Sequence, residues 1–144
     1  MGLFPRRIMP LLVGVLLALV IGLIGSVGGL DRDRAFYPTA TIVVASYYAL
    51  FAVMGSSTHA LVLEILAGTL FVAAAIVGFR SSLWVVVGAL AAHGAFDLVH
   101  ARIISNPGVP GWWPQFCSSI DVALAAWLAL LLKSRGGISL VRRA

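Results

Sequence analysis

Three acidic residues lie inside segments of the chain that are otherwise apolar enough to cross a membrane. They are Glu64, Asp97 and Asp121, and the 144-residue sequence holds only two other acids. A carboxylate at the centre of a bilayer costs about 2.5–3.5 kcal/mol even on the most lenient scale, so such residues usually face a bundle interior, a water-filled cavity or a partner. Their positions therefore predict a polar site within the membrane.

Two histidines share a segment with Asp97, in the run HGAFDLVH that begins at His93 and ends at His100. With about 100° of rotation per residue, Asp97 and His100 lie about 40° and 20° to either side of His93. All three side chains therefore occupy one side of a helix whose other residues are mostly apolar. The pattern predicts a polar stripe that faces the interior of a helix bundle.

The acids are expected at one depth although they belong to three different segments. Counted from the ends of the apolar runs at about 1.5 Å per residue, the three acids and His100 lie roughly 6–11 Å below one membrane face. By the same count His93 is deeper, at roughly 16 Å. We therefore expect three helices to bring carboxylate and imidazole groups to one level.

Metal binding gives this arrangement a chemical interpretation. Asp97 and His100 stand three residues apart and can present an oxygen and a nitrogen to one ion, as Glu-x-x-His pairs do in carboxylate-bridged helical bundles. Glu64 and Asp121 would supply further oxygen ligands. His93 is about 10 Å from His100 along the helix axis, so it would act as a catalytic base or orient Asp97 rather than share the ion. Mixed carboxylate and imidazole ligands favour a divalent transition metal, namely zinc, manganese or non-haem iron.

Other interpretations of the same residues stay open. Buried polar side chains also hold membrane helices together without any chemistry. A chain of acids and histidines ordered by depth could instead carry protons or cations through the membrane. Five helices in one chain of this size leave little room for a transport pathway within a single protomer, so transport would require a homo-oligomer.

The connection formed by residues 105–113, SNPGVPGWW, lies directly over the level of the acids. Its prolines restrict the backbone and its paired tryptophans suit the headgroup region, so an interfacial anchor would explain it. Its position also suits a lid or substrate-binding lip formed by Asn106, Trp112 and Trp113. Four further residues are predicted to support the site, although ordinary packing accounts for the tyrosines and the cysteine as well: Tyr47, Tyr48, Cys117 and Ser118.

Composition indicates an integral membrane protein. Hydrophobic residues make up 61% and charged residues 10% of the chain, and its mean hydropathy is +1.06, whereas a soluble domain has about 25% charged residues. The apolar runs predict one all-α domain, residues 1–144, in which short connections make consecutive helices antiparallel neighbours. Five transmembrane helices are predicted at about 11–30, 38–55, 58–79, 83–104 and 114–132, followed by a basic tail at 133–144. The net charge of +5 lies mostly outside these runs, which suits anionic headgroups and argues against nucleic-acid binding.

The distribution of lysine and arginine predicts the orientation of the chain. With five crossings, three of the ten basic residues, Arg6, Arg7 and Arg102, lie near the membrane face that carries the N-terminus. The other seven lie near the opposite face, so the positive-inside rule favours a multi-pass protein of the cell membrane with a cytoplasmic C-terminus. The Arg6-Arg7 pair before the first helix argues the other way. The first run also has features of a cleavable secretory signal.

Reporter fusions test this orientation. A reporter that is active only in the cytoplasm should be active after Ala144 and inactive after Gly2, because an odd number of crossings puts the two ends on opposite sides. A reporter that is active only outside should give the reverse pattern. The same result at both ends would mean an even number of crossings or a cleaved first segment.

Together these features predict a small integral membrane protein that uses an intramembrane carboxylate and histidine site, with a bound metal, to act on a lipid or an apolar small molecule. The alternative is an oligomeric transporter or channel, linked to protons or cations, that uses the same polar residues. The sequence leaves the reaction type open.

Overall fold

The computed structural model of the protein describes residues 8–141. This part of the chain folds into five long helices: α1 Ile8–Val27, α2 Phe36–Met54, α3 Thr58–Arg80, α4 Leu83–Ile103 and α5 Trp113–Val141, with one turn of 3-10 helix at Leu30–Arg32. The described residues contain no strand, which confirms the predicted all-α class. Each helix is long and apolar enough to cross a membrane. The chain is therefore a multi-pass membrane protein.

The helix ends lie close to the predicted spans, with differences at both ends of the bundle. α1 ends at Val27 rather than at residue 30 because Gly29 adopts a left-handed conformation, with φ 72°, that terminates the helix. α5 continues to Val141, so the predicted basic tail begins as a continuation of this helix. Arg6 and Arg7, on which the orientation partly depends, lie outside the described residues, as does the end of the tail from residue 142.

The helices form an open ring in the order α1, α5, α4, α3, α2. α5 packs between α1 and α4, and α3 packs between α2 and α4. The expectation that all consecutive helices are neighbours is wrong for α1 and α2, which make few contacts with each other. The reason is that Gly14 and Gly22 of α1 face α5, where a Cβ at Gly14 would collide with Ser119 and one at Gly22 would lie 2.7 Å from the Trp127 ring.

An apolar layer fills the half of the bundle that is distant from the 105–112 loop. Val86 and Leu90 of α4 and Leu124 and Leu128 of α5 are at most 2% exposed and belong to one cluster of buried residues. On both helices these four residues lie farther from the loop than the acids and histidines do. Polar groups inside the bundle are therefore concentrated near the face that carries the loop.

Two arginines fix the connections at the opposite face. The buried carboxylate of Asp31 accepts a hydrogen bond from the Ser26 hydroxyl at 2.7 Å and pairs with the Arg135 guanidinium at 3.0 Å. Arg34 donates hydrogen bonds to three carbonyls at the end of α3, including that of Gly78 at 3.3 Å. These contacts tie the α1–α2 connection to the ends of α5 and α3.

Candidate metal centre

Four buried side chains from α4 and α5 meet inside the bundle, and we call them the α4–α5 cluster. They are His93, Asp97, Cys117 and Asp121, each at most 1% exposed. One donor atom from each lies within 4.8 Å of the other three. His93 Nδ1 is 2.7 Å from Asp121 Oδ2 and 3.7 Å from Asp97 Oδ2. Cys117 Sγ lies 3.9 Å from Asp121 Oδ2. The cluster thus combines one nitrogen, one sulfur and two carboxylate donors.

Helix geometry explains why these four groups converge. Each helix contributes two members that stand four residues apart and therefore share one face. α4 and α5 pack tightly at Gly94, where a Cβ would lie 3.1 Å from the Ser118 carbonyl and 3.3 Å from the Asp121 Cβ. A glycine at this point lets the two backbones come close enough for short side chains to meet across the interface.

A second polar group, the Glu64 triad, lies nearer the loop and consists of Glu64, His100 and Asn106. His100 Nε2 is 2.8 Å from Glu64 Oε1, and the Asn106 amide donates to the same oxygen at 2.8 Å. The Asn106 amide also donates to the Tyr48 carbonyl at 3.0 Å. The triad therefore joins α3, α4 and the loop, and α2 through its backbone.

Tyr48 connects the two groups. Its hydroxyl donates a hydrogen bond of 2.7 Å to Asp97 Oδ1. Its ring stacks on that of His100, with the centroids 3.9 Å apart and the planes at 15°. Because the Glu64 triad also binds its carbonyl, Tyr48 is held at both ends and fixes the orientation of the Asp97 carboxylate.

The four residues expected to bind one ion are thus divided between two groups. Asp97 and Asp121 belong to the α4–α5 cluster, whereas Glu64 and His100 belong to the triad. His93 lies inside the cluster rather than beside the ligands, and its neighbour Cys117 supplies a donor that we expected only to support the site. The close contact at Gly94 accounts for this division because it places Asp121 beside His93, about two helical turns deeper than His100.

The three residues predicted to form a lid lie in two different surroundings. Asn106 is part of the hydrogen-bonded interior, where it accepts from the Gly108 amide as well as donating to Glu64. Trp112 and Trp113 line an apolar cavity, and Trp113 packs against Tyr47 with ring centroids 5.0 Å apart. Tyr47 therefore packs among aromatic rings, while the Ser118 backbone forms the close helix contact described above.

The α4–α5 cluster is short of positive charge and of hydrogen-bond donors. Asp97 Oδ2 and Asp121 Oδ1 have no hydrogen-bond partner among the described residues. The salt bridges formed by the three buried acids of the polar site involve His93 and His100, and the arginine pair in the described chain belongs to Asp31. Even with both imidazoles protonated, three carboxylates would leave a net negative charge in a setting where unpaired charge is costly. A bound cation would offset this negative charge, and so would a proton on one of the carboxyl groups.

Two cavities reach the α4–α5 cluster from different sides. The first, which we call the polar cleft, has a volume of about 350 Å³ and lies between the end of α4, the loop and the start of α5. Its lining includes Asp97, His100 and Gln115. The second is an apolar cavity of about 450 Å³ between α1, α2 and α5, and Cys117 lies in its wall. The cluster therefore has one side toward polar surroundings and one toward the lipid-facing surface.

Comparisons with protein-family models, curated proteins and solved structures gave no match to the chain. Its function is therefore inferred from the geometry of the site. That geometry consists of a buried histidine, cysteine and two aspartates that could hold a metal ion inside a multi-pass membrane protein.

Proposed function

We propose that the protein is a zinc-dependent intramembrane enzyme that acts on a lipid or a similarly apolar molecule. The observation that supports this most is the α4–α5 cluster, whose nitrogen, sulfur and oxygen donors lie within 4.8 Å of one another in the buried interior. Zinc accepts all three kinds of ligand, whereas manganese prefers oxygen. The presence of Cys117 in place of Glu64 therefore favours zinc over manganese.

The spacing of the donor atoms suits a tetrahedral ion. Zinc–ligand bonds of about 2.0–2.3 Å place the ligands of a tetrahedral site about 3.3–3.8 Å from one another. In the cluster, the Cys117–Asp121 separation is 3.9 Å, and all four donor atoms lie within 4.8 Å of one another. The 2.7 Å contact between His93 and Asp121 would have to open by about 0.6 Å to exchange its shared proton for a metal ion.

Three ligands and one open position would make this a catalytic site. Catalytic zinc sites commonly keep three protein ligands, and His93, Cys117 and Asp121 would supply them. Asp97 lines the polar cleft, and its Oδ1 is already bound to Tyr48, so its free Oδ2 would face the open position. Zinc would act there as a Lewis acid. Asp97 would accept a proton from a water molecule that enters through the polar cleft, which suits a hydrolytic reaction.

The apolar layer makes a transporter the weaker candidate. A proton or cation path needs polar groups or water along its whole length. Beyond His93, the described interior of α4 and α5 continues with Leu90, Leu124 and Leu128, each at most 2% exposed. The polar network thus extends from the loop face only as far as the α4–α5 cluster, which suits a pocket better than a pathway.

Metal analysis of the purified protein tests the proposal. We expect about one zinc ion per chain, with X-ray absorption showing a sulfur ligand at about 2.3 Å. Cys117→Ser should lose this sulfur signal. Ser118→Ala, a change at the next residue of the same buried helix face, should retain it.

Two results would contradict the proposal. Folded protein that stays metal-free after gentle extraction and resupply of zinc would identify the cluster as a structural polar network. Bound zinc without a sulfur ligand would contradict the assignment of Cys117 as a ligand.

A further inference from the structure

A long apolar groove separates α1 from α2. The apolar cavity that reaches Cys117 and a second cavity of about 510 Å³ share the lining residues Ile21, Ala40 and Val43, so they adjoin along the seam between the two helices. We call the two cavities together the α1–α2 groove. Along α2 it is lined from Ala35 to Tyr47, about 18 Å at 1.5 Å per residue. This length is close to half of the roughly 30 Å hydrocarbon core, which is the depth of one leaflet.

The groove stays open because α1 packs against α5 rather than against α2. Gly14 and Gly22 of α1 pack against α5, whereas Gly25 contacts the Phe36 ring at the start of α2, and α1 makes few contacts with the rest of α2. In that part of α2 the wall of the groove includes the small side chains of Thr39 and Ala40, which leave the space between the helices unfilled. At the end nearest the loop, the aromatic rings of Trp112 and Trp113 line the groove at the level where such rings meet headgroups.

The size and lining of the groove suit a hydrocarbon chain. Its wall is predominantly apolar, and the two cavities, of about 450 and 510 Å³, leave room for an unbranched chain that runs along α2 for about 18 Å. A single extended hydrocarbon chain is much narrower than a helix, and acyl chains surround the groove in the bilayer.

We infer that the α1–α2 groove binds one acyl chain of a membrane lipid and leads it to the α4–α5 cluster beside Cys117. The lipid would enter sideways from the bilayer, through the seam between α1 and α2. Water would arrive separately through the polar cleft, on the side of Asp97. The meaning of the groove as a substrate site rests on the proposed enzymatic function, whereas binding of the acyl chain itself requires no metal.

Photolabelling tests this inference. The protein is reconstituted in phosphatidylcholine nanodiscs that contain increasing fractions of phosphatidylcholine with a photoreactive diazirine in mid-chain, and the labelled residues are located by mass spectrometry. We expect labelling concentrated on Ile21, Ala40 and Val43 that reaches a plateau as the fraction of probe lipid increases. The exposed side chains of Leu66 and Leu70 on α3 should show only weak labelling that does not saturate.

Filling the groove should remove this labelling. Ala40→Trp should lose most of it, and Val43→Trp, at a half-exposed position that tolerates bulk, provides a second variant if the first fails to fold. Ile42→Trp is the matched control because it adds the same side chain one residue away, in a shallow depression between α2 and α3. Its labelling should equal that of the wild type.

Three outcomes would overturn the inference. They are equal labelling of all lipid-facing helices, unchanged labelling in the tryptophan variants, and cross-links between two copies of the chain through the groove. Repeating the experiment on metal-depleted protein separates the two proposals. Saturable labelling of a protein that never binds zinc would support the lipid site and reject only the proposed zinc enzyme.

Discussion

Replacing His93 by alanine is expected to remove nearly all of the bound zinc, whereas replacing His100 by alanine should weaken zinc binding by only about 10- to 100-fold. His93 Nδ1 lies 2.7 Å from Asp121 and 3.7 Å from Asp97, in the middle of the donor set. His100 instead binds Glu64 and touches the cluster only through Tyr48. Loss of a residue that orients a ligand typically lowers metal affinity by about 10- to 100-fold, so His100→Ala should be loaded at high zinc and fail at low zinc.

The two variants form a matched pair. Both remove an imidazole from α4, and both side chains are about 1% exposed, so the cost of the cavity should be similar. Zinc affinity is measured by competition with a chelator, and helical content is measured in the same samples to show that both proteins remain folded. Complete loss of zinc in His100→Ala with full retention in His93→Ala would assign the ion to the Glu64 triad instead.

Gly108→Val is expected to destabilise the protein by about 1–3 kcal/mol, the usual cost of forcing bulk into a packed site. A Cβ at Gly108 would collide with the Phe51 carbonyl, which is backbone and cannot turn away. The loop would have to lift from α2, and Asn106 would be drawn from Glu64. Thermal unfolding in detergent measures the loss.

Gly111→Val is the control for this change, since a Cβ at Gly111 would meet no atom within 4 Å. It should alter stability by no more than about 0.5 kcal/mol, as surface substitutions generally do. If the two variants unfolded at the same temperature, the contact between the loop and the end of α2 would contribute nothing to stability, and the position of Asn106 would need another explanation.

The number and class of the helices could be predicted because the length of an apolar run is a local property. Counting along each run also predicted that Glu64, Asp97 and Asp121 lie in the half of the bundle near the loop, but not that they divide between two groups at different depths. Which of these side chains contact each other could not be predicted, because that depends on how the helices pack. The sequence placed Asp97 and His100 on one face of α4, but only the approach of α5 at Gly94 shows that Asp121 meets His93.

Two roles could not be read from local patterns. Cys117 stands four residues before Asp121, so the two were expected on one face, but nothing in that spacing distinguishes packing from metal ligation. Asn106 lies in a loop rich in proline and tryptophan, which predicted a position at the membrane surface. Its side chain instead reaches Glu64 and the Tyr48 carbonyl, contacts that join three distant parts of the chain.

Of the five helices, α1 is synthesised before the other four, yet its main packing partner, α5, is synthesised after them. Until α5 arrives, Gly14 and Gly22 have no helix to pack against, and the Asp31 carboxylate lacks Arg135, its partner 104 positions later in the chain. α2, α3 and α4 can pack against their neighbours in sequence, while α1 remains linked to them only through the α1–α2 connection until α5 is present. Closure of the five-helix bundle is thus coupled to the synthesis of α5, and a product that stops before α5 would expose an acid and a helix surface by which membrane quality control could recognise it.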